Sequence, residues 1–133
     1  MTQNTETLLV VDDQSGVRRL ICEALLDDGH LVEQAPNGLE ALKKLAQKKY
    51  QLILLDIKMP GMNGLETLTE IRKIDPGIPV IMMTAYGELD ILEKINGKGV
   101  DHISKPFDLN ELRSLVKAII SRGVASQTGI KTG

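Results

Sequence analysis

The sequence predicts an α/β fold in which five parallel strands form one doubly wound sheet with helices on both faces. Short apolar runs alternate with longer intervals whose apolar residues recur at the three- and four-residue spacing of an amphipathic helix. The first run is apolar without interruption, which is expected for a strand that is buried on both faces. Alternation of strands and helices at this length implies right-handed crossovers between parallel strands.

The predicted strands are short, and the last of them is weak. They lie at residues 8–11, 31–35, 52–55, 80–83 and 102–104. Each run is followed by turn-forming or polar residues before the next helical pattern begins.

Amphipathic stripes indicate the helices between these strands. The first stripe, which ends before Gly29, consists of Val17, Leu20, Ile21, Ala24 and Leu25. The second stripe consists of Leu39, Leu42, Leu45 and Ala46, and the third of Leu65, Leu68 and Ile71. A weaker helix is predicted between Leu89 and Asn96, where glycines follow. The last stripe, behind an expected capping box of Asp108 and Glu111, consists of Leu112, Leu115, Val116, Ile119 and Ile120.

Composition agrees with one small α/β domain. The 133 residues are 42% hydrophobic, which is enough for a packed core. A net charge of −2 argues against a broad surface that binds nucleic acid or anionic membranes. No apolar stretch reaches the roughly 20 residues of a membrane span. No secretory signal is recognised, and the lone Cys22 is expected to be a reduced, inert thiol, so a cytoplasmic location is predicted. We also expect the protein to be a monomer. We expect an N-terminal tail at 1–6, one domain at 7–121 and a disordered tail at 122–133, with no second domain.

Four of the five predicted strands end at side chains that suit phosphoryl chemistry. Asp12 and Asp13 follow the first strand, Asp56 the third, Thr84 the fourth, and Lys105 the fifth. The carboxyl ends of parallel strands share one edge of a sheet, and that edge is where open α/β sheets bind ligands. Three carboxylates there repel one another and Lys105 offsets only one of them, so a hard divalent cation such as Mg²⁺ is the natural partner.

Each of these residues has an ordinary structural explanation when it is taken alone. An acidic pair after a strand is often a helix cap, and an aspartate before a Pro-Gly loop is often a turn former. Thr84 would also suit a strand, and Lys105 would also suit an exposed surface. It is the complete set in this order that favours a functional site.

Four motifs carry a resemblance to a known family. They are Val10-Val11-Asp12-Asp13, Leu55-Asp56 with Met59-Pro60-Gly61-Met62-Asn63-Gly64, Thr84-Ala85, and Lys105-Pro106-Phe107. Together they resemble the receiver domain of bacterial response regulators, over about Thr7 to Ile120. Within that family the chain is most similar to the single-domain regulators of sporulation-type phosphorelays. The resemblance implies the flavodoxin-like (βα)5 fold.

The resemblance also implies a role for each site residue. Asp56 would be the phosphoacceptor, binding Mg²⁺ (or Mn²⁺ as a substitute) together with Asp13 and the backbone carbonyl of Lys58. Asp12 would bind the ion partly through water, and Lys105 would neutralise phosphoryl oxygens. Such a protein catalyses its own Mg²⁺-dependent phosphorylation and dephosphorylation.

Two further residues are implied as the switch. The Thr84 hydroxyl would bond to a phosphoryl oxygen once the acyl phosphate has formed. His102 stands where receivers often have a rotating aromatic residue, and we expect it to be partly buried. The interval from Thr84 to Lys105 is one residue shorter than is usual in the family.

The implied partners are a sensor histidine kinase and a histidine phosphotransferase, with neither nucleic acid nor membrane. The expected docking rim borders the phosphoacceptor, with Arg18 as its charged anchor. It consists of Gln14, Ser15, Gly16, Val17, Arg18, Leu20, Tyr86, Pro106 and Phe107. The alternative function is a chemotaxis-like binding switch whose phosphorylated form docks on a target protein. A nucleotide- or flavin-binding protein of the same topology is less favoured, because no Gly-rich loop follows the first strand.

Overall fold

The computed structural model describes residues 7–85 and 100–128, with side chains up to residue 122. The described residues form five strands and four helices. In chain order these are β1 Thr7–Val11, α1 Ser15–Asp27, β2 Leu31–Ala35, α2 Gly38–Gln47, β3 Leu52–Asp56, α3 Gly64–Ile74, β4 Val80–Thr84, β5 Val100–Ser104 and α4 Leu109–Thr128. The weak helix predicted between Leu89 and Asn96 lies outside the described residues, as does Tyr86.

The strands form one parallel sheet in the order β2-β1-β3-β4-β5, which confirms the predicted flavodoxin-like architecture. The chain runs outward from β1 to β2 and then crosses to the other side of β1 to form β3. The topological switch point is therefore between β1 and β3, where a crevice opens at the carboxyl ends of the strands. Val11 of β1 pairs with Leu55 of β3, so the residues that follow these strands are neighbours.

The sheet separates two apolar clusters, and helices cover both of its faces. One cluster packs α2 and α3 on the sheet, and the other packs α1 and α4 on the opposite face. The central strands β1, β3 and β4 are buried along their whole length, whereas the edge strands β2 and β5 are partly exposed. Burial on both faces explains why the central strands are continuous apolar runs.

Two leucines of the predicted helical stripes are not in the core. Leu20 is 55% exposed and Leu39 is 59% exposed. The sheet covers only one side of each helix: α1 is anchored by Ile21 and Leu25, and α2 by Leu45 with small neighbours. An apolar stripe wider than the covered face leaves its flank in solvent.

The last helix extends further than the sequence predicts. A disordered tail was expected from Arg122, but the helix continues to Thr128. Once a helix is formed, each added residue costs far less than a new nucleus, so weak helix formers can prolong it. At its start, the Asp108 carboxylate accepts the N–H of Asn110 at 2.7 Å, instead of the expected bond to Glu111. In the part of the chain that is described, no helix is long and apolar enough to cross a membrane.

Candidate functional site

Three carboxylates meet at the carboxyl edge of the sheet, beside the switch point. Asp12 and Asp13 follow β1, and Asp56 is the last residue of β3. One oxygen of each lies within 4.8 Å of those of the other two. Asp12 and Asp56 are buried, whereas Asp13 is exposed and borders solvent. The structure thus brings together the acidic residues that the sequence pattern predicts.

The Lys105 ammonium lies among these acids. Its Nζ is 2.9 Å from Oδ2 of Asp12 and 3.5 Å from Oδ2 of Asp56. Burial by itself lowers the pKa of Lys105, but the hydrogen bond to Asp12 and the charges of Asp56 and Asp12 outweigh burial, so the net pKa is raised. The backbone N–H of Lys105 also donates to the Thr84 carbonyl at 2.6 Å, which ties the end of β5 to β4.

The pKa of Asp56 is raised from 3.8 to about 6. Burial is the largest cause and the negative charge of Asp12 adds to it, while Lys105 and the backbone N–H of Lys58 oppose the shift. Ionisation of Asp56 therefore costs the folded protein free energy, as expected for a buried carboxylate that lies beside a second carboxylate. Perturbed carboxyls of this kind are typical of functional sites.

The donor set suits a divalent metal ion. Lys105 is paired with Asp12 and Asp56, and Asp13 brings a third carboxylate to the same cluster. Carboxylate oxygens are the ligands that hard cations such as Mg²⁺ prefer, and exposed Asp13 leaves one side open to water and phosphate oxygens. The residues present could therefore hold such an ion.

The two predicted switch residues differ in burial, since Thr84 is buried and His102 is exposed. Thr84 is buried at the end of β4, and its hydroxyl donates to the Ile103 carbonyl across a long 3.4 Å bond. His102 is exposed, so the expectation that it is partly buried is wrong. β5 is an edge strand whose Ile103 side chain enters the core, and alternation turns the neighbouring His102 outward.

The loop after β3 is held close to the sheet. The Ile57 N–H donates to Met83 of β4 at 3.1 Å, and the Gly64 N–H donates back to Ile57 at 2.7 Å. Lys58 follows, with its N–H 3.4 Å from Oδ1 of Asp56. A capping box between Asn63 and Glu66 begins α3 directly behind this loop.

We expect Gly64→Ala to destabilise the domain by about 1–3 kcal/mol, because the added methyl has no room. A Cβ on Gly64 would lie 2.5 Å from the Ile57 Cα and 2.6 Å from the Asp56 carbonyl oxygen, both of them backbone atoms. Urea denaturation measures this change. Gly16→Ala is the matched control, since a Cβ on Gly16 meets nothing within 4 Å and alanine favours α1. Equal stability of the Gly64→Ala and wild-type proteins would contradict the close approach.

An apolar groove of about 390 Å³ adjoins the acidic site. The start of α1 forms one side of the groove and the segment after β5 forms the other. It is lined by Val17, Leu20, Ile21, Lys105, Pro106, Phe107 and Leu109. Val17 and Phe107 are partly buried and pack against the core, so each belongs both to the core and to the groove. Of the other members of the expected rim, Ser15 and Gly16 at the start of α1 are exposed, as is Gln14 just before them.

Arg18 makes contacts in this region that its position in the sequence does not predict. The Arg18 guanidinium, expected to be the charged anchor of the docking rim, donates to the Asp12 carbonyl and to the Gln34 side chain. Arg18 and Gln34 are distant in sequence and belong to different elements, so no local pattern signals their contact.

The chain is similar to known proteins along most of its length. The family model described as "Response regulator receiver domain" matches residues 8–117. The chain is 46% identical to sporulation initiation phosphotransferase F of Bacillus subtilis (strain 168) over 113 residues, covering 84% of this chain and 91% of that protein. It is 44% identical to the transcriptional regulatory protein CpxR homolog of Haemophilus influenzae over 124 residues, covering 92% of this chain but only 54% of that longer protein.

A solved structure agrees with these relatives. The receiver domain of NtrX from Brucella abortus superposes with a TM-score of 0.80 at 32% identity, covering 86% of this chain and 98% of that one. The structural likeness therefore covers most of this chain and nearly all of the solved domain.

Proposed function

We propose a phosphotransfer function for this chain, which belongs to the response regulator receiver domain family. In this proposal Asp56 accepts a phosphoryl group from a histidine kinase and passes it to a histidine phosphotransferase, in a relay of the sporulation type. The observation that carries the proposal is the placement of Asp56, buried at the switch point and flanked by Asp12 and Lys105.

The transfer step makes one bond and breaks one bond. A carboxylate oxygen of Asp56 attacks the phosphorus of a phosphohistidine, and the P–N bond breaks as the P–O bond forms. The electron pair of the broken bond stays on the imidazole, which takes up a proton. The product is an acyl phosphate on Asp56, and onward transfer to a second histidine reverses the same changes.

The surrounding residues stabilise the charge that this transfer moves. Lys105 already bridges Asp12 and Asp56, so a small shift of its ammonium would bring it to a phosphoryl oxygen. The Thr84 hydroxyl holds only a long bond to Ile103, which a phosphoryl oxygen can replace. Bound Mg²⁺, held by Asp13, Asp56 and the Lys58 carbonyl, would supply the charge neutralisation that phosphoryl transfer requires.

A transfer experiment tests the relay against the alternative of a binding switch. The chain is mixed with a kinase carrying radiolabelled phosphohistidine, and a histidine phosphotransferase is then added. We expect the label to move to this chain and then to the phosphotransferase. Label that reaches Asp56 and remains there would favour the binding switch, whereas label that never leaves the kinase would contradict both functions for that kinase.

We expect Lys58→Ala to speed the spontaneous loss of phosphate severalfold. Lys58 is exposed two residues after Asp56, so its long side chain can lie over the phosphoryl group and hinder in-line attack by water. Decay of the acyl phosphate after removal of the donor measures this effect. Lys49→Ala is the control, because Lys49 is another exposed lysine but lies before the amino end of β3, at the opposite edge of the sheet from Asp56. Decay that is unchanged or slower in Lys58→Ala would refute the shielding role.

We expect Leu20→Ala to slow transfer from the kinase about tenfold while leaving phosphorylation by a small acyl-phosphate donor unchanged. Leu20 is 55% exposed and lines the groove beside Asp56, where a partner that presents a histidine must make contact. Leu26 provides a matched control, because it lies on the same helix, is 52% exposed and is not part of the groove lining. Equal effects of Leu20→Ala and Leu26→Ala on the kinase reaction would remove the groove from the docking surface.

A further inference from the structure

Arg18 links three elements beside the acidic site. It lies in α1, one turn after Gln14, whose carbonyl accepts the Arg18 backbone N–H at 2.9 Å. Its Nη1 donates to the Asp12 backbone carbonyl at 2.5 Å, and its Nε donates to the Gln34 side-chain oxygen of β2 at 3.0 Å. The planar guanidinium suits this geometry because its donors point in fixed directions.

The Asp12 carbonyl oxygen has Arg18 as its hydrogen-bond donor. The other polar groups of Asp12 are held elsewhere: its N–H donates to Ala35, its Oδ1 accepts from the Gln14 N–H, and its Oδ2 accepts from Lys105. Because Asp12 is fully buried, its carbonyl also requires a partner.

This carbonyl belongs to the peptide unit that joins Asp12 to Asp13. A peptide unit is planar and rigid, so the direction of the carbonyl determines where the Asp13 N–H and Cα lie. Asp13 is the exposed member of the carboxylate cluster, and its carboxylate reaches the cluster only if the backbone carries it there.

We propose that Arg18 is a positioning residue for the cation site. Its guanidinium, oriented by Gln34, holds the Asp12–Asp13 peptide unit and thereby keeps the Asp13 carboxylate beside Asp12 and Asp56. The inference rests on the proposed function, because it assigns Arg18 to the metal site of that function instead of to docking.

The direction in which Arg18→Ala changes the affinity for Mg²⁺ distinguishes a positioning role from a simple effect of charge. Arg18 is a cation close to a site for a divalent cation, so its charge alone opposes metal binding. If charge were its main effect, Arg18→Ala would bind Mg²⁺ more tightly than the wild-type protein. The positioning role gives the opposite result, since loss of a residue that orients metal ligands weakens metal binding.

Calorimetric titration of the unphosphorylated protein with Mg²⁺, far below its melting temperature, tests the inference. We expect about tenfold weaker binding for Arg18→Ala. Arg18→Lys keeps the charge but lacks the planar fork, so it should recover only part of the affinity. Gln34→Ala should weaken binding less than Arg18→Ala, because the bond to Asp12 remains. The matched control is Arg19→Ala, which removes the same charge from the exposed neighbouring position and should not weaken binding.

A second measurement does not depend on the metal. The Asp13 amide resonance of the metal-free protein should shift in Arg18→Ala and stay in place in Arg19→Ala, because only Arg18 orients that peptide unit. Mg²⁺ binding by Arg18→Ala that equals or exceeds the wild-type affinity would overturn the inference.

The remaining outcomes are also decisive. If Arg18→Ala does not fold, Gln34→Ala decides: weaker binding supports positioning, and unchanged binding overturns it. Failure of the wild-type protein to bind Mg²⁺ would instead defeat the metal site of the proposed function, so the two failures are distinguishable.

Discussion

Asp56→Asn is expected to fold and to lose at least about a thousandfold in phosphate incorporation, from a kinase and from a small acyl-phosphate donor alike. The amide of asparagine is uncharged and is a poor nucleophile, whereas the other site groups remain in place. Incorporation of radiolabelled phosphate measures the loss. Asp27→Asn, at an exposed position of α1, is the control for removal of an aspartate charge.

The same variant should be more stable than the wild-type protein in metal-free buffer above pH 7. The rise in the Asp56 pKa from 3.8 to about 6 corresponds to about 3 kcal/mol that the ionised side chain costs the fold. Asparagine avoids this cost, and Lys105 keeps its 2.9 Å partner Asp12. A variant that is phosphorylated at the wild-type rate would remove Asp56 as the phosphoacceptor. If Asp56→Asn were less stable than the wild-type protein at neutral pH, this would contradict the proposed cost of the ionised Asp56 side chain.

The stability of the metal-free protein should depend on pH through Asp56. The unfolded chain releases the Asp56 proton near pH 3.8 and the folded protein near 6, so the folded state binds more protons between these values. The free energy of unfolding must then fall as pH rises through this range. Hydrogen bonds from Arg113 and Tyr50 lower the pKa values of Asp28 and Glu33 respectively, which acts in the opposite direction. The difference between wild-type and Asp56→Asn proteins isolates the contribution of Asp56.

Millimolar Mg²⁺ should reverse this loss of stability. A cation that binds the ionised carboxylates of the folded protein stabilises it by mass action, by about 2.7 kcal/mol at a hundred times its dissociation constant. We expect a rise of several degrees in melting temperature at pH 7.5, and a smaller rise for Asp13→Ala, which lacks one carboxylate of the cluster. Thermal unfolding with Mg²⁺ or with a chelator measures both. An undiminished response in Asp13→Ala would place the ion elsewhere.

The fold and the composition of the site could be predicted from sequence because both depend on short-range patterns. β2, as one example, is predicted at residues 31–35 and lies there, since a short segment that begins with two apolar residues and lies between turn residues has few other solutions. Asp12, Asp56 and Lys105 were predicted to meet because parallel strands place their carboxyl ends on one edge, whatever the details of side-chain packing.

The exposure of individual side chains was decided by tertiary packing. Leu20 and Leu39 fit the helical spacing as well as their buried neighbours do, yet the sheet covers only part of each helix surface. His102 was expected to be partly buried, and the edge position of β5 exposes it. Periodicity identifies the apolar side of an element but not how far the neighbouring element covers it.

By itself, then, the sequence determined the order of the elements, their parallel sheet and the acids, hydroxyl and lysine at its edge, because each follows from local periodicity and from the geometry of parallel strands. Only the tertiary structure decided that the Lys105 ammonium lies nearer to Asp12 than to Asp56 and that Arg18 holds the Asp12 carbonyl. These contacts join residues from different elements, and their distances depend on how the helices pack against the sheet. The strength of a hydrogen bond changes when its donor and acceptor shift by a few tenths of an ångström, and no local sequence pattern specifies positions that closely.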